Sequence, residues 1–362
     1  MLKDDRTMSE PNCPSCKSRL LPLLVALIVL ALSIVAVVYS RYEQFSYAPI
    51  SLPQDPYVFT VTSGMSLGQL ANRLHEQGII DHPRFFIQLG RRLKAARHLK
   101  VGEYTLSRDL TPRTLLALMT EGRVLQYGLT LIEGQTFEEM LARISEHPTL
   151  QHTLTGLDTD AIMEKLGLAG EHPEGRFLAD TYHFPRNTTD LEFLRRALKA
   201  MDEYLQAAWE QRDPDLPLAT PYEALVLASI VEKETGLSEE RARIAGVFIR
   251  RLQKGMKLQT DPTVIYGMGE RFDGNIRRAD LTRDTPYNTY TRTGLPPTPI
   301  AMPGRAAIDA VLHPADGDSL YFVAKGGGSH YFSSTLTEHN LAVDKFQRGK
   351  RGIDLPGEGN KP

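Results

Sequence analysis

Apolar residues recur along this chain with several different periods, and each predicts a different element. Residues 20–39 are apolar throughout and carry no charge. Twenty helical residues cover about 30 Å, one bilayer core, so this run predicts a membrane-crossing helix. Pro22 near its start is tolerated, because first-turn amides have no helical partner. From residue 57 the pattern shortens. A β-rich run at 58–61 precedes a turn, Ser63-Gly64-Met65-Ser66, and then Leu67, Leu70, Ala71 and Leu74 come at helical spacing. Ser66 is placed as the N-cap, its hydroxyl accepting a free first-turn amide. The unit recurs at Leu110-Thr111-Pro112 with Leu115, Leu116 and Met119, where Pro112 suits the first helical position. A third echo is Glu133-Gly134-Gln135-Thr136 with Phe137, Met140, Leu141 and Ile144. Between the first two lie a helix around 84–93 and a strand at 102–106.

Residues 221–236, PYEALVLASIVEKETG, are apolar almost all round the helix, the pattern of a buried core element. Gly236 reads as its stop, a residue that tolerates the left-handed turn closing a helix. At about 100° per residue, Glu234 falls between Leu227, Ile230 and Val231, in the middle of the apolar arc. Glu232 projects near the edge of that arc and Lys233 on the polar side. A carboxyl against apolar neighbours has its charged form disfavoured, so its pKa rises and it holds a proton near neutrality. A general acid acting on an ether oxygen needs this. Helix geometry alone leaves open a second reading, in which Glu234 closes the helix and pairs with a nearby Arg. A further amphipathic helix runs through Ile244, Val247, Phe248, Ile249 and Leu252 to a cap at Gly255. Residues 320–324 and 330–332 read as a hairpin around Gly326-Gly327-Gly328.

Composition narrows the class. The chain has 362 residues, enough for two or three domains, with 42 basic against 44 acidic side chains. That balance lacks the basic footprint of a nucleic-acid binder. With only Cys13 and Cys16, no disulfide framework supports the long C-terminal part. Lys3, Arg6, Lys17 and Arg19 precede the apolar run, and after Arg41 no Lys or Arg appears until Arg73. The positive-inside rule then leaves 1–19 as a cytoplasmic tail and puts residue 42 onward outside. The run is long for a cleaved signal peptide, and Val-Tyr-Ser-Arg after it lacks a small-x-small cleavage site. Cys13-Pro-Ser-Cys16 is half a zinc site at best and reads as two reduced thiols. Residues 41–56 read as an extended tether and 349–362 as a disordered tail. His313, His330 and His339 lack metal-ligand spacing, so no metal or other cofactor is expected.

Strand, hydroxyl-capped helix and strand over 57–124 resembles the LysM fold, a small glycan-binding module. Whether it contacts glycan or merely positions the C-terminal part stays open. Arg91, Arg92, Lys94, Arg97 and Lys100 cluster there, a solvated face or a contact for anionic wall polymer or lipid. From 125 to 348 short strands mix with helices and with turns rich in Tyr, Pro and Gly. The whole chain is therefore expected to be α+β, with one transmembrane helix, a LysM-like α/β module and a mixed α+β catalytic domain.

Four motifs in order, VEKET at 231–235, LQTDPTVIYG at 258–267, YNTY at 287–290 and GLPP at 294–297, resemble the YceG/MltG family. These are membrane-anchored endolytic murein transglycosylases of bacteria, and the likeness runs from about 57 to 345. Thr298 follows GLPP where the family usually has Gly, and Ala179 stands where its EGxLFPDTY-like stretch has Pro. The resemblance implies cleavage of the β-1,4 bond between N-acetylmuramic acid and N-acetylglucosamine, with Glu234 as acid and then base. It also implies peptidoglycan strands as substrate and penicillin-binding proteins as partners. Asn288 with Tyr287 or Tyr290 are then the candidates to orient the 2-acetamido group. Gln259, Thr260 and Asp261 would line the cleft, with Asp261 alternatively a cap for the helix after Pro262. Asp180 and Tyr182 are further candidates for substrate contact, and Glu232 reads as the partner of Arg241, Arg243 or Arg250. The reading of another class is a non-enzymatic, membrane-anchored scaffold that binds wall and synthesis machinery.

Overall fold

The computed structural model describes residues 17–353 and Leu355, with side chains from Leu21 onward. The expectations for Lys3, Arg6, Cys13, Cys16, the side chains of Lys17 and Arg19, and most of the C-terminal tail fall outside that range. The described chain divides into two compact units after Leu125.

Helix α1, Lys17–Tyr47, opens the first unit. Its apolar side chains from Leu21 to Val38 are all exposed, and among the described residues it is the one helix long and apolar enough to cross a membrane. It does not end at 40. The tether expected at 41–56 begins as seven more helical residues, and Tyr42, Ser46 and Ile50 are buried. The reason is side-chain spacing. Tyr42 and Phe45, three apart on one face, both meet Phe85, at ring distances of 6.0 and 5.9 Å.

Strand β1 (Tyr57–Val61), helices α2 (Leu67–Glu76) and α3 (Pro83–Arg92), strand β2 (Gly102–Leu106) and helix α4 (Pro112–Glu121) complete this unit. Ser66 closes a capping box with Gln69, and Thr111 closes one with Thr114. The two strands pair antiparallel with Phe59 opposite Tyr104. Leu70, Leu74, Phe86, Leu89, Leu115 and Leu116 fill the core beneath them. The Tyr104 hydroxyl, buried at the bottom, donates to the Lys100 carbonyl at 2.7 Å, so a large polar side chain sits there satisfied. The strand–helix–strand grammar expected from the likeness to LysM is thus present, with α3 as a second helix.

The second unit begins with β3 (Tyr127–Thr130), α5 (Phe137–Ser145) and α6 (Thr159–Leu166). Then come β4 (Thr181–Phe184), α7 (Asp190–Glu210), α8 (Pro221–Glu234), α9 (Ser238–Gln253), α10 (Asp261–Met268) and the single turn α11 (Arg278–Thr282). Helix α12 (Arg305–Leu312), the hairpin of β5 (Tyr321–Gly326) and β6 (Ser329–Ser333), and α13 (Leu336–Phe346) end it. Strands β3 and β4 pair antiparallel over a core in which Phe137 stacks on Phe177 and Phe184 meets Phe193 edge-on. Asp190, buried where α7 starts, accepts the Thr153, Leu154 and Leu191 amides and the Thr153 hydroxyl, which ties the loop after α5 to that helix.

The other core of this unit surrounds α8. Every residue from Ala224 to Val231 is buried, packed by α9, α12 and the second half of α7. Ser229, the polar member of that run, donates to Val226 O and accepts the Ile300 amide, so it carries no unmet group. Helix α8 ends differently from the expectation. Glu234 is its last residue, Thr235 is extended at φ −148°, and Gly236 is not left-handed. The Thr235 hydroxyl accepts the Leu237 amide at 3.0 Å, which turns the chain without needing glycine's left-handed conformation.

Candidate active site

Glu234 is carried by the most deeply embedded helix of the second unit, at the point where that helix reaches the surface. The residue is half-buried, and its Oε1 accepts a hydrogen bond from the Thr260 hydroxyl. Thr260 is itself buried, in the loop between α9 and α10. Three interactions fix that loop. Arg251 of α9, almost wholly buried, donates to the carbonyls of Leu258 at 2.7 Å, Lys257 at 3.1 Å and Leu320 at 2.7 Å. Thr289 accepts the Thr260 amide at 3.1 Å through its hydroxyl and the Gln259 amide at 3.2 Å through its carbonyl. Tyr290 donates to Asp261 at 2.6 Å. The second and third motifs are therefore zipped together on the face where Glu234 emerges.

Burial raises the Glu234 carboxyl from the usual carboxylate range to about 7. The Thr260 hydrogen bond and the Arg251 charge pull it down, and Asp261 pushes it up. A carboxyl of this kind is about half protonated at neutrality, so it can give up a proton and take one back. Its neighbours in the motif do other work. Lys233 donates to Gly134 O at 3.1 Å. Glu232 accepts the Gly304 amide at 3.0 Å and lies 4.0 Å from Arg241, the structural pairing expected of it. The lack of a side chain at Gly304 makes room for a second carboxylate, since a Cβ there would collide with Glu133.

The other expected site residues separate into groups. Thr260, Asp261, Gln259 and Tyr290 belong to the cluster around Glu234. Gln259 holds a left-handed φ of +52° and reaches Arg251 at 3.5 Å. Asp261 is the first residue of α10, not its cap, and its carboxylate is taken by Tyr290. Tyr287 meets Tyr266 of α10 with ring centroids 4.9 Å apart, and its hydroxyl bonds Thr298, the residue that departs from the family pattern. Asn288 does not present its amide to a cleft. It is buried, donates to the carbonyls of Asp280, Leu281 and Arg283, and accepts the Tyr290 amide. These bonds fold the loop that positions Tyr290, and they leave no free group for a sugar. Asp180 pairs with Arg305 at 2.6 Å, and the Tyr182 hydroxyl donates to Leu178 O at 2.8 Å against Phe193. Among the described residues, neither makes a hydrogen bond or ion pair with Glu234.

Sequence reasoning missed Arg251, Thr289 and Glu174. Glu174 is buried, accepts the Phe137 amide at 3.0 Å and the Tyr266 hydroxyl at 3.1 Å, and so couples the start of α5 to α10. Burial pushes its carboxyl up to about 7 as well. Between pH 4.5 and 7 the folded protein thus holds protons that the unfolded chain releases. Stability is greatest below that window and falls as pH rises through it, by up to about 3 kcal/mol for Glu174. Urea unfolding followed from pH 5 to 8 should show that decline, and Glu174→Gln should reduce it by about half, Glu234 supplying much of the rest.

A surface cavity of about 920 Å³ lies at the other end of α8, lined by Pro221, Tyr222, Met201 and Leu205. Thirteen helical residues put it about 20 Å along the axis from Glu234, and it contributes no group to the acid.

An α+β unit that brings one proton-holding glutamate to its surface, beside two interlocked loops, is the arrangement of a glycan-cleaving acid–base enzyme. The chain belongs to the YceG-like family, whose profile matches residues 59–345. It is 40% identical over 178 residues to the endolytic murein transglycosylase of Bacillus subtilis, covering 49% of each chain. Identity to the endolytic murein transglycosylase of Streptococcus pneumoniae strain D39 is 26% over 346 residues, 86% of this chain and 62% of that one. The chain thus spans between about half and under two thirds of the length of these curated relatives. The crystal structure of a yceG-like protein from Listeria monocytogenes is 30% identical, with a TM-score of 0.51 over 79% of this chain and 98% of that chain.

Proposed function

We propose that the chain is a membrane-anchored lytic transglycosylase that cuts glycan strands of peptidoglycan internally, with Glu234 as its one acid–base group. The observation that carries this reading is the Glu234 carboxyl itself, raised to about 7 by burial, on a residue that is only partly buried and is held by Thr260. The name of the relatives, endolytic murein transglycosylase, supports the substrate.

Hydrolysis of a glycosidic bond takes two carboxylates, since water must be activated or an ester intermediate formed. One carboxyl is enough when the nucleophile belongs to the sugar. Protonated Glu234 gives its proton to the oxygen that leaves between N-acetylmuramic acid and N-acetylglucosamine. The resulting carboxylate takes the proton of the muramyl C6 hydroxyl, which closes onto the anomeric carbon as a 1,6-anhydro ring. Water is not consumed. The internal nucleophile lowers the barrier through its high effective concentration. The exposed apolar run of α1 supports reading it as the anchor, and the charge asymmetry around it supports a topology with both units outside the cytoplasm.

The product distinguishes this chemistry from hydrolysis. Mass spectrometry of fragments released by the purified protein should show anhydro ends, each lighter by one water than a reducing end. Reducing ends alone would refute the proposal. The acid must be protonated at the start, so kcat/KM should fall as pH rises through about 7. Thr260→Val removes a hydrogen bond that lowers the Glu234 pKa, so the alkaline limb should move upward, by about half a unit to one unit. A limb that stays in place or moves down would separate Thr260 from the acid.

A further inference from the structure

The direction of the helices in the first unit identifies which of its ends faces the anchor. Moving away from the apolar run, α1 presents Tyr39, then Tyr42, Phe45 and Tyr47. His82 and Phe85, at the start of α3, meet Phe45 at 6.1 and 5.9 Å. Arg92, at its end, lies beside the Tyr39 and Tyr42 hydroxyls and 3.7 Å from Glu43. Helix α3 therefore runs back along α1 toward the span. Helix α4 does the same. Arg113 in its first turn reaches the Tyr47 hydroxyl at 3.4 Å, and Met119 in its last turn accepts the Lys100 amide at 3.0 Å. The end of α3 at Arg92, and the segment that follows it, thus lie on the side of this unit toward the apolar run.

That end is basic and carries exposed apolar side chains. Arg91, Arg92, Lys94, Arg97 and Lys100 are all exposed, and so are Leu93 at 38% and Val101 at 55%. Among the acids nearby, Glu43 is paired with Arg92 and Glu121 with Arg123 at 2.8 Å. The exposed apolar run of α1 ends at Tyr39, and the headgroup layer extends roughly 5–7 Å beyond the hydrocarbon core. With α1 as the anchor, Arg92, beside Tyr39 and Tyr42, falls at that depth.

We propose that residues 91–101 dock onto the headgroups of anionic phospholipids in the membrane that holds α1, an inference that rests on reading α1 as an anchor. The cations meet the lipid phosphates, and Leu93 and Val101 reach the boundary of the acyl chains. One Lys or Arg at an anionic surface changes occupancy by about fivefold, so four or five in one segment select anionic over neutral lipid strongly.

The test uses the full chain in nanodiscs of phosphatidylcholine, alone or mixed with phosphatidylglycerol, with amide hydrogen exchange as the readout. Exchange over residues 93–101 should slow at least about fivefold in the anionic discs, and about 0.5 M salt should reverse the effect. The variant R91Q/K94Q/R97Q/K100Q should behave alike in both discs while the exchange of β1 and β2 stays unchanged. Equal exchange of the unaltered chain in both discs would overturn the inference and leave the anchor standing. So would slowing by soluble polyglutamate in neutral discs with none from phosphatidylglycerol, which would assign the face to a polymer. A chain that enters neither disc would overturn the anchor reading itself.

Discussion

Glu234→Gln should lower kcat by about 10³ to 10⁴, because the same carboxyl serves as acid and as base and nothing else in the cluster replaces it. Gln keeps the shape of the side chain and can still accept the Thr260 hydroxyl, so the loop between α9 and α10 should stay in place. The melting temperature should hold or rise, since a desolvated carboxyl is replaced by a neutral amide. A scaffold that only binds the wall would keep its cellular activity with Gln at 234. Muropeptide release by the purified variant, set beside complementation in cells, separates the two. Release within about tenfold of the unaltered protein would remove Glu234 from the chemistry.

Arg251→Met should be the most damaging change to stability near the site. It leaves the carbonyls of Lys257, Leu258 and Leu320 without their donor in a buried place, at a cost of about 3 kcal/mol or more. Arg251 also lies over the Tyr321 ring at 5.0 Å, a contact that Met keeps only in part. The variant also loses a positive charge that holds the Glu234 pKa down, so the alkaline limb of any residual activity should shift upward. Urea unfolding measures the first effect and a pH–rate profile the second. A loss under about 1 kcal/mol would mean that the loop is held mainly by Thr289.

Much of this was legible because local rules carried it. Ser66, Thr111 and Thr136 cap the helices that their spacing predicts, since a cap needs only a hydroxyl and the amide three residues on. Glu234 was legible because the angle of a helix is fixed once its apolar arc is known. Asn288 was misread because an amide in an aromatic turn looks the same whether it faces a sugar or its own loop. Only the three carbonyls around it decide, and they come from residues five to eight positions away along an irregular path. Glu174 was passed over for a related reason. Its segment has no period, and its burial is set by α5 and α10, whose approach no local pattern encodes. The end of α1 was misjudged because polar letters at 41–47 suggested a tether, while Tyr42 and Phe45 supplied a stripe that continued the helix into the core.

The unbroken run of α1 from the apolar stretch to Tyr47 makes it a stem and not a leash. On the proposed anchoring, height and facing of the first unit above the bilayer are phased by the helical screw. Deleting one residue between Tyr39 and Tyr42 would lower that unit by about 1.5 Å and swivel it by about 100°. Deleting a turn-and-a-bit of four residues would nearly restore its facing at a lower perch.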